Sequence, residues 1–255
     1  MSLQDFFSGL FLLGICSFHA VATQNDADAE QLVDRGMEYI YAKDPIQAFQ
    51  WFKQAAEQGS SKGQYMLGLL YDEGQGVSQD YDLAREWYEK AAAQGNASAQ
   101  LNLGFMYHKG HGVHQNEAIA YQWFEKSAEN GNAYAQANLA VRYYTGDGVP
   151  QDYALARQWY EKAAAQGNAN AQLNLGSIYD QGLGVPQNHT LARQWYEKAA
   201  AQGNPVAQLN MGVLYARGLG VRQNMETAKE WFGKSCDNGY QSGCDYYRIV
   251  NEKEM

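Results

Sequence analysis

Three histidines lie within seven residues, in the run His108-Lys-Gly-His111-Gly-Val-His114. Imidazole nitrogens at that spacing could converge on one Zn²⁺ or Cu²⁺ ion, so His108, His111 and His114 are candidate metal ligands. The competing expectation is three solvated histidines on a variable loop. Catalytic constellations are scarce. Ser60, Ser98, Ser127, Ser177 and Ser235 are followed three places later by Gly, Leu, Asn, Asp and Asn, so none forms a Ser-x-x-Lys pair. Neither a phosphate-binding Gly-Lys-Ser/Thr nor His-Glu-x-x-His is present, and the chain reads as a non-enzyme without a cofactor. A different series suits binding. Asn102, Asn138, Asn174 and Asn210 recur every 36 residues, with Met66 in the same column. An amide donates and accepts at once, so such a ladder could hold an extended peptide backbone; its competing role is a bond to a neighbouring helix.

The elements that would carry these side chains follow from the tryptophans. Trp51, Trp87, Trp123, Trp159, Trp195 and Trp231 are all 36 residues apart, and a period held over five intervals marks an internal repeat. Alanine recurs three places before each Trp and glycine eight places after it. A Gly-x-Gly-Val block recurs five times, as at Gly110, Gly112 and Val113. Each unit reads as two helices. Ala99, Leu103 and Tyr107 make one apolar face of a first helix, which the glycines end. Asp80, Asn116, Asp152, Asn188 and Asn224 then stand where a cap for the second helix is needed, and that helix carries the Ala-x-x-Trp face. The first helix has a second apolar column, Tyr65, Leu101, Ala137, Leu173 and Leu209, so it needs neighbours on both sides. Stacked units supply them. The expected fold is all-α, an α/α superhelical solenoid of ~36-residue helix-turn-helix repeats.

The first unit has a shorter loop, with Asp44-Pro45 as a helix start, and the fourth has Ala140 where the others hold Gly. Residues 1–22 read as a signal peptide, 23–240 as six helix pairs, and 241–255 as a capping helix and tail. The signal reading rests on the apolar run Phe6 to Cys16 and on Ala20-Val21-Ala22, an A-x-A cleavage site, although no Lys or Arg precedes Arg35. An uncleaved anchor is the alternative. Cleavage would leave 19 Lys and Arg against 27 Asp and Glu, with two cysteines. The whole chain of 255 residues has a net charge of −9, which argues against nucleic acid and anionic lipid as partners.

The columns Ala-x-Ala-Gln-x-x-Leu-Gly-x-x-Tyr-x-x-Gly-x-Gly-Val and Ala-x-x-Trp-Tyr-x-Lys-Ala-Ala-x-x-Gly, over residues 26 to 250, resemble the Sel-one-like repeat family, relatives of the tetratricopeptide repeat. The resemblance implies a superhelix whose first helices line a concave surface, and an adaptor that holds a protein or peptide. Related tetratricopeptide domains use Asn to hold peptide backbone. Partner choice is expected where units differ, in the columns of Leu69, Phe105, Val141, Ser177 and Val213, of Glu73, Lys109, Thr145, Gln181 and Arg217, and of Lys62, Ser98, Tyr134, Asn170 and Val206. Phe105, Lys109, Tyr134, Arg142 and Arg217 join the Asn series as candidate ligand-binding residues, whereas Gln64, Gln100, Gln136, Gln172 and Gln208 read as structural. The spacing of Cys236 and Cys244 is similar to the cysteine pairs of the secreted Helicobacter cysteine-rich proteins. It implies a disulfide stapling the terminal cap, with two buried thiols as the alternative. Some of those relatives are described as penicillin-binding or β-lactamase proteins, which gives a hydrolytic alternative. A host-cell interaction factor is another. The expected product is a monomeric, periplasmic or secreted scaffold that touches a membrane only if its signal remains attached.

Overall fold

The computed structural model describes residues 28–253. The expected signal segment, residues 1–22, lies outside them. Among the described residues there are thirteen α-helices and no strand. Helix α1 covers residues 28–41. Twelve helices of thirteen residues follow: α2 (Pro45–Glu57), α3 (Ser61–Glu73), α4 (Tyr81–Ala93), α5 (Ala97–Lys109), α6 (Glu117–Glu129), α7 (Ala133–Thr145), α8 (Tyr153–Ala165), α9 (Ala169–Gln181), α10 (His189–Ala201), α11 (Pro205–Arg217), α12 (Met225–Asp237) and α13 (Gln241–Lys253). The chain divides into two compact units, one running to Asn130 and one starting at Gly131. From α2 onward, every helix within a unit packs on the next. No helix among the described residues is long and apolar enough to cross a membrane.

The uniform helix length follows from its end signals. Asp80, Asn116, Asp152, Asn188 and Asn224 each accept the N–H three residues on, at 2.9–3.1 Å. Ser60, Asn96, Asn132, Asn168 and Asn204 cap the odd-numbered helices in the same way. Each cap satisfies one of the donors that a helix start leaves open. Helices α3, α5, α7, α9 and α11 end in glycine: Gly182 has φ 71° and donates its N–H to the Ile178 carbonyl. In the shorter first loop, Lys43 takes a left-handed φ of 58°, and Asp44 caps α2 with Pro45 at its first position.

The core repeats with the lattice. In the first unit Phe52, Leu67 and Leu70 are buried, as are Tyr88, Leu103 and Met106. In the second, Tyr160, Leu175 and Ile178 form one cluster and Tyr196, Met211 and Leu214 another. Tryptophan bridges successive pairs: Trp195 of α10 packs on the cluster that α8 and α9 build, and Trp231 of α12 on the one built by α10 and α11. A lysine three residues on covers the outer face of the Trp ring, as with Lys162 over Trp159 at 3.8 Å. The second apolar column of the odd helices packs toward the following repeat, Leu173 against the Tyr196 cluster and Leu209 against Phe232 and Val250.

A polar ladder runs through this apolar packing. Gln172 is 5% exposed. It donates to the Ala164 carbonyl of α8 at 3.2 Å and accepts from Gln202, past the end of α10, at 2.8 Å. Gln202 also donates to the Gly167 carbonyl. One amide therefore ties three successive helices with both its nitrogen and its oxygen partnered, which is the condition for burying it cheaply. In the first unit Gln100 binds the Ala92 carbonyl and the Asn130 amide in the same way. The structural expectation for this column holds. The last pair is closed covalently: Cys236 of α12 and Cys244 of α13 form a disulfide, with Cα atoms 4.5 Å apart.

Two outcomes test this packing. A Cβ on Gly68 would lie 2.7 Å from the Tyr88 ring. Gly68→Ala should therefore lower stability in urea unfolding, because overpacking costs about 1–3 kcal/mol against the roughly 1 kcal/mol that alanine gains within a helix; a more stable variant contradicts the close approach. Replacing Cys236 and Cys244 by Ser should cost about 2–3 kcal/mol for so short a closed loop. Hydrogen exchange should then show α13 losing protection before α9, and uniform loss would contradict a local staple.

Candidate functional site

The odd helices expose one face. Its positions are the second, sixth, ninth and thirteenth residues of each helix, spaced i, i+4, i+7 and i+11 and therefore aligned. On α7 these are Tyr134, Asn138, Val141 and Thr145; on α9, Asn170, Asn174, Ser177 and Gln181; on α11, Val206, Asn210, Val213 and Arg217. None of them is buried, whereas Ala171, Gln172, Leu175 and Gly176 on the other side of α9 all are. Every column that was expected to vary with the partner falls on this face.

The asparagines are engaged there. Asn102 donates to the Tyr88 hydroxyl at 2.9 Å, and that hydroxyl donates to Asp72 at 3.1 Å. Asn174 bonds the Tyr160 hydroxyl and Asn210 the Tyr196 hydroxyl. Burial pushes all three tyrosine hydroxyls well above the usual phenol range, and the Asn donors pull the other way. The hydroxyls are thus neutral fixed partners at any physiological pH. Asn138 differs. It is exposed, and the Tyr column holds Phe124 in the preceding repeat. Met66 likewise follows Phe52. Hydroxyl partners are legible in this way only once the Asn and Tyr columns are compared at a separation of fourteen residues.

In the first unit the stripe sinks into a cleft of about 290 Å³. Leu69, Asp72 and Glu73 of α3 line one side; Asn102, Phe105 and Lys109 of α5 line the other, with Tyr81 and His111 at the mouth. Phe105 packs edge-on against Phe124 at 5.2 Å, and the Lys109 ammonium stands 5.9 Å from the Phe105 ring. Glu73 accepts from Gln75 at 2.7 Å. Burial raises the Tyr65 hydroxyl, and the Glu73 charge raises it further. The cleft can take a small amphipathic group. Asp72 and Tyr81 were outside the sequence-level candidates.

The remaining candidates are dispersed. Among the described residues no three His, Cys, Asp or Glu side chains are placed to hold a metal ion. His108 pairs with Glu117 at 2.9 Å, His111 lies over Tyr81 with ring centres 4.5 Å apart, and His114 lines a separate depression with Arg85 and Val113. The His108–Glu117 pair joins the end of α5 to the start of α6. Asp180–His189, at 2.8 Å, makes the same link with the order of the two residue types reversed. Arg142 sits in a column that holds the buried Leu70, Met106, Ile178 and Leu214 in other repeats, and its guanidinium turns to the Asp147 carbonyl of its own loop. Tyr134 is 53% exposed, and Arg217 is exposed at the end of α11.

A family model, "Sel1 repeat", matches residues 36–60, 61–96, 97–132, 133–168, 169–204 and 205–240. Among solved structures, the chain is similar to a protective antigen present in uropathogenic Escherichia coli strains displaying an SLR fold. It is 40% identical at a TM-score of 0.76, over 88% of this chain and 49% of that one, so this chain spans about half that antigen's length. It is also similar to a Sel1 repeat protein from Oxalobacter formigenes, 35% identical at a TM-score of 0.72, over 85% of this chain and 86% of that one. Helicobacter pylori cysteine-rich protein B is 24% identical at a TM-score of 0.41, over 52% of this chain and 95% of that one. Comparison with curated proteins gives no match.

The loop pair yields a titration outcome. The hydrogen bond from His108 holds the Glu117 carboxyl below the usual glutamate range. A lowered folded value means that the pair contributes above the ordinary glutamate range and is lost as pH falls through the lowered value. His108→Ala should return Glu117 to the ordinary range in a carboxyl NMR titration; an unchanged value contradicts the link.

Proposed function

The chain belongs to the Sel1 repeat family, whose members generally bind proteins, and on that premise we propose that it is an exported scaffold that holds a polypeptide along the exposed face of its odd helices. One observation carries this reading: the caps, the Gln ladder and the Trp columns repeat with little change, while three of the four exposed columns change residue type from helix to helix and the fourth keeps Asn in four of its five positions. A surface that varies on a constant frame is where a repeat protein sets its choice of partner. The Asn amides supply backbone recognition. Asn102, Asn174 and Asn210 are pre-oriented by tyrosine hydroxyls and keep acceptor capacity, and Asn138 presents its whole amide between the exposed Tyr134 and Val141.

Export is supported by the signal-like residues 1–22 together with the Cys236–Cys244 disulfide, since such bonds persist where the surroundings are oxidising. Scaffolds of this family are typically non-enzymatic, and no constellation on the exposed face favours a hydrolytic alternative.

Asn138→Ala tests the reading with little risk to the fold, because that side chain is exposed. Binding of labelled peptides, read by fluorescence anisotropy, should weaken about three- to tenfold, the worth of one or two hydrogen bonds, with the melting temperature unchanged. Peptide affinity equal to that of the parent chain would contradict it.

A further inference from the structure

The cleft between α3 and α5 is specific in charge, and we propose that it receives the side chain of an arginine or lysine from the bound polypeptide. The inference rests on the groove reading and sharpens it by naming the partner's chemistry.

Asp72 and Glu73 are the last two residues of α3. Carboxylates at a helix C-terminus oppose the local dipole, where cations are favoured. The matching pairs in later repeats are His108-Lys109, Tyr144-Thr145, Asp180-Gln181 and Ala216-Arg217, so two adjacent carboxylates occur in this repeat alone of the five. A locally unfavourable arrangement on a regular frame points to function. The arrangement is also rigid. Tyr88 donates to one oxygen of Asp72, Asn102 donates to Tyr88, and Gln75 donates to Glu73. Preorganised acceptors lose less freedom when a guest binds.

The opposite wall gives the guest its shape. The Phe105 ring already lies within reach of a cation, Lys109 at 5.9 Å, and an aromatic face beside carboxylates suits a guanidinium or an ammonium on its alkyl stem. Lys109 on that rim offsets part of the acidic charge, so the preference for a cation needs Asp72 and Glu73 together. A volume of about 290 Å³ is below the usual range for drug-sized ligands and suits a single side chain. The net charge of −9 steers basic segments toward the chain and acidic ones away.

The test is a set of nonapeptides with randomised flanks and a central Arg, Lys, Ala or Glu, bound to the full chain at low and high salt. Arg and Lys peptides should bind about tenfold more tightly than Ala peptides, with Glu peptides weakest, and salt should narrow the gap. Glu73→Gln, at an exposed side chain, should reduce the preference, and Glu73→Lys should shift it toward Glu peptides. Binding without a charge preference, or a preference that survives both substitutions, overturns the cleft assignment and leaves the groove reading standing. Failure of every peptide to bind overturns both. Displacement of Arg peptides by equimolar free arginine or spermidine would assign the cleft to a small cation and overturn the polypeptide guest.

Discussion

The structure depends on how closely each odd helix lies against the helix that follows it. Glycine on the odd helix makes that approach possible, and an aromatic ring on the even helix fills the contact. Gly68 meets Tyr88, Gly104 meets Phe124, Gly176 meets Tyr196, and Gly212 meets Phe232. Once that distance is set, the alanines of the even helices become fully buried at Ala84, Ala120 and Ala192. The Trp columns then reach the neighbouring clusters, and the Gln amides find partners on both sides. A buried amide that lacked one of those partners would cost about 1–3 kcal/mol, so the ladder and the close approach require each other.

The same contact shapes the exposed face. A tyrosine laid across a glycine places its hydroxyl at the edge of the stripe. There it meets an asparagine of the next odd helix, as Tyr88 meets Asn102. Packing thus orients polar groups on the exposed face of the odd helices. Asn138, which has phenylalanine and not tyrosine fourteen residues before it, is exposed. Repeats two and four therefore differ in kind. The second carries a charged cleft with fixed acceptors, and the fourth an exposed amide among apolar side chains.

Much of the fold was legible because periodic spacing survives in a linear sequence. Helix pairs, glycine ends and the caps of the even helices all follow from columns 36 residues apart. The caps of the odd helices were less evident, since Ser60, Asn96, Asn132, Asn168 and Asn204 adjoin the glycine column that already marks an end. The site was legible in part. Varying columns identified the exposed face, and Phe105, Lys109 and Asn102 do line one cleft. The Tyr partners of Asn were not evident, because each hydroxyl comes from the preceding repeat. The histidine run suggested a metal by spacing alone, whereas Glu117, nine residues past His108, lies closer to it than spacing can tell. Arg142 read as a ligand-binding candidate although its column is otherwise core.

The most direct test of the account is the hydrogen-exchange footprint of a bound polypeptide on the full chain. Protection should appear along α3, α5, α7, α9 and α11, strongest near their exposed positions, and should leave the Trp faces of α4, α6, α8 and α10 unchanged. A footprint centred on those Trp faces, with none on the odd helices, would contradict the assignment of the odd helices as the binding face.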